Sequence, residues 1–137
     1  MPCILLIDDN SAVLQALEFF FQLEGYKVLL APDGESGLRA AASTPVDIIM
    51  LDIEMPQMSG MDVCRALKAN PSLARIPVVM MTGRPTRELI ERATAAGATL
   101  ALGKPFDLEY LRKTFAGLLG QAGESVAVPE VKYGEAK

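Results

Sequence analysis

Five short runs dominated by apolar residues punctuate the chain: Ile4–Ile7, Val28–Ala31, Asp47–Leu51, Val78–Met81 and Thr99–Leu102. Each is continuous rather than alternating, the pattern of a strand covered on both faces. Between the runs the period changes. Val13, Leu17, Phe20 and Phe21 fall on helical rows that reach Glu24, and Gly25 supplies a stop able to take positive φ. Within Phe19, Phe20 and Phe21, two rings are expected to face the core and the third to sit at its margin. Leu108, Leu111, Phe115 and Leu118 form an apolar stripe on a last helix, with Asp107 as N-cap and Glu109 at the positive end of its dipole. Strand and helix alternate five times, which predicts an α/β fold with an open, doubly wound, five-stranded parallel sheet. From about Gln121 onward the period is lost among Gly, Glu, Ser, Pro and Lys. The expected division is a folded domain over 1–120 and a flexible tail or linker stub over 121–137.

Composition narrows the chemistry. A chain of 137 residues fits one domain, and it contains no histidine. No Ser-His-Asp triad, His-ligated zinc or histidine general base can be built from it alone. A formal net charge of -4 argues against holding nucleic acid through a basic face. Cys3 and Cys64 lie far apart and form no CxxC pair, so both read as buried apolar fillers in a reducing compartment. No apolar run approaches the roughly 18 residues that span a bilayer. Asp8 and Asp9 interrupt the first hydrophobic run at once, with no basic leader before it. A cytoplasmic location and no membrane partner are expected.

In doubly wound sheets, ligands bind beyond the carboxyl ends of the strands. The first run ends in Asp8-Asp9, the third in Asp52 followed by Ile53-Glu54-Met55-Pro56, the fourth in Thr82-Gly83, and the fifth in Lys104-Pro105-Phe106. Only the second, ending in Ala31-Pro32-Asp33-Gly34, supplies ordinary loop chemistry. Three carboxylates, a hydroxyl and an amine thus converge on one sheet edge. Three acids together repel one another and raise pKa values or recruit a cation. Oxygen-only donors suit Mg²⁺, which takes one or two carboxylates plus a phosphoryl oxygen. A charge of about -3 on the acids is balanced by about +2 from such a metal and about +1 from Lys104. A neutralised site of this kind accepts a phosphoryl group, with Asp52 as nucleophile.

These stretches in this order resemble the receiver domain of two-component response regulators, a CheY-like domain, over about residues 3 to 119. The matching motifs are Ile4-Leu5-Leu6-Ile7-Asp8-Asp9-Asn10, Asp47 to Pro56 with Met58 and Gly60, Met80-Met81-Thr82-Gly83, Gly97-Ala98 and Lys104-Pro105-Phe106. The resemblance implies a flavodoxin-like (βα)5 fold. It implies that Asp52 accepts a phosphoryl group from a histidine on a partner, either a sensor histidine kinase or a histidine phosphotransfer protein. Asp9 would bind Mg²⁺ directly and Asp8 largely through water, with Asp52 and the backbone carbonyl of Glu54 completing the shell. Thr82 would be the switch hydroxyl and Lys104 the amine that pairs with the phosphoryl group. The Lys104-Pro105 bond is usually cis in the family, a form accessible at about 0.5–1 kcal/mol before proline. A downstream protein target is implied, a homodimer stays open, and the domain catalyses nothing beyond its own phosphorylation and dephosphorylation.

The chain departs from the family at Ala101, where receivers commonly carry Tyr or Phe three residues before the lysine. Alanine has no side-chain rotamer to switch, so coupling to the face formed by the last strand and the two helices flanking it in sequence is expected to be weakened. Glu54 and Arg84 are expected to flank the mouth of the site and modulate phosphoryl lifetime, and Gly83 and Pro105 are further modulating positions. The leading expectation is a single-domain receiver that switches partner binding or relays phosphate. The alternative is a receiver piece of a larger regulator or hybrid histidine kinase. A haloacid dehalogenase-like Mg²⁺-dependent phosphatase is more remote, because Glu54 stands where that family expects a second Asp and the strand is the third rather than the first. A flavodoxin-like FMN binder is remoter still, since Asp8-Asp9 puts acid where a cofactor phosphate would need donors.

Overall fold

The computed structural model describes residues 1–120; the expectation for 121–137 lies outside the described residues. Five strands and five helices alternate: β1 (Cys3–Ile7), α1 (Ser11–Leu23), β2 (Lys27–Ala31), α2 (Gly34–Ser43), β3 (Ile48–Asp52), α3 (Gly60–Ala69), β4 (Val78–Thr82), α4 (Arg87–Ala95), β5 (Leu100–Gly103) and α5 (Leu108–Leu119). All strand pairings are parallel, and the sheet order is β2-β1-β3-β4-β5. The chain winds outward from β1 in one direction and from β3 in the other. The switch point therefore lies between β1 and β3.

The continuous apolar runs resolve into two alternating sets. Leu5, Ile7, Ile49, Leu51, Val78, Met80 and Ala101 point to one face, where α2, α3 and α4 contribute Ala41, Val63, Cys64, Leu67, Ile90 and Ala93. Ile4, Leu6, Ile48, Met50, Val79, Met81 and Leu102 point to the other, covered by α1 and α5 through Leu14, Leu17, Phe21, Leu111 and Phe115. A residue of either parity in β1, β3 or β4 is buried, which is why those runs show no alternation. β2 differs from expectation: it is half-exposed, because it forms the edge of the sheet.

Local signals act as read at the end of α1 and the start of α5, and Asp33, read only as loop chemistry, proves to be a cap. Gly25 takes φ of 93° just past α1, a value that favours glycine. Asp107 caps α5 by accepting from Glu109 N and Tyr110 N, and Asp33 caps α2 through Ser36 N at 2.8 Å. Cys3 and Cys64 are buried free thiols. Two expectations about helix faces shift. Phe21 is fully buried and Phe20 half-buried, but Phe19 is 65% exposed. Leu108, the first residue of α5, is 50% exposed, so the stripe begins in effect at Leu111. The helical rows predict a side, and the rim of each stripe turns outward once the neighbouring helix is in place.

Candidate functional site

Four of the five strands deliver polar side chains to the carboxyl edge. Asp8 follows β1 directly and is buried; Asp52 closes β3 and is 3% exposed; Thr82 closes β4 and is buried; Lys104 follows β5. Their backbones are tied together. Asp8 N donates to Ala31 O at 3.1 Å, Ile53 N to Met81 O at 2.9 Å, and Lys104 N to Thr82 O at 2.8 Å. Asp9 sits beside them, exposed. Carboxylate oxygens of Asp8, Asp9 and Asp52 all lie within 4.8 Å of one another.

Asn10 holds Asp8 in place, a role that the sequence pattern alone does not assign. Its side chain caps α1, accepting from Ala12 N at 2.9 Å and Val13 N at 3.2 Å. Its own N–H donates to Asp8 Oδ1 at 2.9 Å. The capping duty thus falls on Asn10, and Asp8 keeps its other oxygen for the site. The signal was present: a short polar amide directly before a helical run.

Lys104 Nζ lies 3.5 Å from Asp8 Oδ2 and 3.3 Å from Asp52 Oδ1, with its side chain 26% exposed. The contact with Asp52 is an ion pair without hydrogen-bond alignment, which leaves the buried Oδ1 with no hydrogen-bond partner. Burial and the neighbouring Asp8 charge push the Asp52 carboxyl up to about 6, against the opposing pull of Lys104. Burial works against the charge of Lys104, but Asp52 and Asp8 outweigh it and hold the ammonium above its ordinary pKa. The site is therefore strained electrostatically: one cation pairs with two members of a three-acid cluster.

The loop after Asp52 is held close under the site. Gly60 N donates to Ile53 O at 2.9 Å. A Cβ at Gly60 would stand 2.3 Å from the Asp52 carbonyl oxygen, so only glycine permits this approach. Gln57 takes φ of 68° within a tight turn closed by Met58 N to Pro56 O at 2.7 Å, a left-handed position for a non-glycine residue. The Lys104-Pro105 bond is cis.

Thr82 does not face Asp52 through its hydroxyl. Its Oγ1 donates to Glu54 Oε2 at 2.6 Å and accepts from Arg84 N at 2.9 Å. Gly83 N also points at Glu54, 3.4 Å from Oε1. Glu54 and Arg84 are both exposed; the Glu54 carboxylate reaches across to the end of β4, and Arg84 joins the arrangement through its backbone N–H. Ala101 is buried on the α2-α3-α4 side.

A buried acid at the β1–β3 switch point, partnered across the sheet edge by a lysine, is the arrangement of a CheY-like signalling domain. The family model described as "Response regulator receiver domain" matches residues 4–116, and the chain belongs to that family. Among curated relatives, response regulator MprA of Mycolicibacterium vanbaalenii is 36% identical over 131 residues, covering 91% of this chain and 56% of its own length. The chain spans about half the length of the curated relatives it matches. Chemotaxis response regulator CheY4 of Vibrio cholerae is structurally similar at a TM-score of 0.82 and 33% identity, covering 87% of this chain and 99% of that one. The receiver domain of sensor histidine kinase PA1611 from Pseudomonas aeruginosa matches at a TM-score of 0.81 and 28% identity, covering 88% and 98%. That structure has a magnesium ion coordinated in its active site cleft. The chain is thus a receiver domain of two-component signalling, and the phosphatase and flavin-binder alternatives fall away.

Proposed function

We propose that Asp52 is the phosphoacceptor of this receiver. A carboxylate oxygen of Asp52 attacks the phosphorus of a phosphohistidine on a sensor histidine kinase or histidine phosphotransfer protein. The O–P bond forms as the P–N bond breaks, and the imidazole leaves with the bonding electron pair and takes a proton from solvent. Lys104 pairs with the incoming negative charge, and Thr82 supplies a hydroxyl once released from Glu54.

The observation that carries this reading is a buried carboxylate oxygen, Asp52 Oδ1, which has no hydrogen bond yet lies 3.3 Å from an ammonium and among two further acids. An oxygen left unpaired in a buried cluster of hard donors also fits a divalent cation. Asp8, Asp9, Asp52 and the backbone carbonyl of Glu54 would hold Mg²⁺, which when bound neutralises charge between the acids and the phosphoryl oxygens. The pKa of about 6 leaves Asp52 ionised near neutrality while keeping it more basic than an ordinary carboxylate.

The output is a switch in binding to a downstream protein, or onward transfer of the phosphoryl group. The domain promotes only its own phosphorylation and dephosphorylation. A cytoplasmic setting, with the kinase as partner, belongs to the same proposal; among the described residues no helix is long and apolar enough to cross a membrane. Incubation with acetyl phosphate and Mg²⁺, followed by intact mass measurement, tests it. Wild type should gain the mass of one phosphoryl group and Asp52→Asn none. A gain that persists in the variant would overturn the assignment.

A further inference from the structure

We propose that the Glu54 side chain is an internal stand-in for the phosphoryl group. It clasps the donors at the end of β4 and must be displaced before phosphorylated Asp52 can use them. The inference rests on Asp52 as phosphoacceptor and assigns Glu54 as a positioning residue that acts through Thr82.

The hydroxyl of Thr82 has one proton, and that proton is given to Glu54 Oε2 at 2.6 Å. The hydroxyl oxygen also accepts from Arg84 N at 2.9 Å, which fixes its orientation. Thr82 is fully buried, so solvent supplies no competing partner for the hydroxyl. The second Glu54 oxygen faces the N–H of Gly83 at 3.4 Å. One anionic group thus takes a hydroxyl and the next backbone N–H, with two oxygens aimed at two adjacent donors. A phosphoryl group on Asp52 would present oxygens of the same charge and acceptor type from the neighbouring strand. Asp52 and Thr82 close adjacent strands, in a pairing where Asp52 stands opposite Met81. The two acceptors therefore compete for one donor pair.

The geometry follows from sequence spacing. Glu54 leaves β3 two residues after Asp52, and the close seat of Gly60 against the Asp52 carbonyl holds that loop under the sheet edge. From there the glutamate's three-carbon reach spans to the end of β4. Because Glu54 itself is exposed, it can swing out into water without leaving a buried charge behind. The clasp is releasable, as a competitor for the phosphoryl group must be.

The test uses the full chain, acetyl phosphate as the probe and Mg²⁺ throughout, with the initial rate of mass gain as readout. A charge-assisted hydrogen bond lost before the reaction predicts that Glu54→Ala is phosphorylated roughly tenfold faster than wild type. Glu54→Gln, which keeps one acceptor oxygen but no charge, should fall between the two. Each comparison is repeated in a Thr82→Val background, where the hydroxyl is gone and the gain from removing Glu54 should shrink to less than about twofold. The Gly83 amide resonance of the unphosphorylated protein should also shift in Glu54→Ala. An unchanged or slower rate in Glu54→Ala, with wild type still gaining mass on Asp52, overturns the clasp and leaves the phosphoacceptor standing. A tenfold gain that survives in Thr82→Val also overturns it, because simple charge repulsion would then be the cause. No mass gain in wild type removes the phosphoacceptor reading and the clasp with it.

Discussion

Replacing Asp52 with asparagine should make the metal-free protein more stable, although the residue lies at the heart of the site. In the fold, burial and Asp8 raise the Asp52 carboxyl from 3.8 to about 6. A raised acid pKa means that the folded state disfavours the charged form. Below pH 3.8 the group is protonated in both states and adds no charge penalty. As pH rises towards 6 the unfolded chain releases its proton first, and stability falls. Above that the whole penalty is present, about 3 kcal/mol at 1.36 kcal/mol per pKa unit. Asparagine is nearly isosteric, carries no charge, and offers an oxygen to Lys104 and an N–H to Asp8. Thermal or urea unfolding in EDTA at pH 8 should therefore show Asp52→Asn more stable by up to ~3 kcal/mol, on the order of 10 °C in Tm. The gap should close on acidification to about pH 4. Mg²⁺ at pH 8 should narrow it by binding the acids of the wild type. Equal stability at pH 8 in EDTA, or a gap that persists at pH 4, would refute the electrostatic reasoning.

Two further outcomes follow from the same geometry. Lys104→Met removes the only cation within ion-pair distance of Asp8 and Asp52 among the described residues. With its side chain 26% exposed, the loss at pH 8 should be roughly 1–2 kcal/mol by urea unfolding, and smaller near pH 5 as Asp52 takes up a proton. Gly60→Ala forces a methyl group against the Asp52 carbonyl and the Ile53 backbone. It should cost roughly 2–3 kcal/mol in the same assay, with Gly60→Ser at least as damaging.

The strands were legible because β1, β3 and β4 are buried on both faces and so need unbroken apolar runs. β2 has a similar run, yet Leu30 is exposed. Edge position depends on which way each crossover turns, and a strand's own residues do not record that. At the site, Asp8, Asp52, Thr82 and Lys104 could be placed together because a parallel sheet sends every strand's carboxyl end to one edge. The alternation of strand and helix was enough to bring them there. The Glu54–Thr82 bond was not legible, since it joins a loop residue to the last residue of β4 through side-chain rotamers. Nor was the unpaired oxygen of Asp52, because the position of Lys104 Nζ depends on the last bonds of a flexible side chain. Phe19 shows the same limit on a helix: its row sits one step off the stripe, and only the docked α5 decides where the core stops.

The hydrogen bond from Lys104 N to Thr82 O, at 2.8 Å, has a mechanical consequence. It rivets the end of β4 to the start of the segment leading into α5. Further back on β5, opposite Met80, Ala101 offers no χ1 torsion to flip. A pull on Thr82 therefore acts on Lys104 as on the far arm of a lever, through main chain and without a rotating ring as intermediary. Motion of this kind is small in amplitude and shared between two strand ends. Its readout belongs in backbone amide and carbonyl resonances near Lys104 and Pro105, ahead of any aromatic side-chain signal.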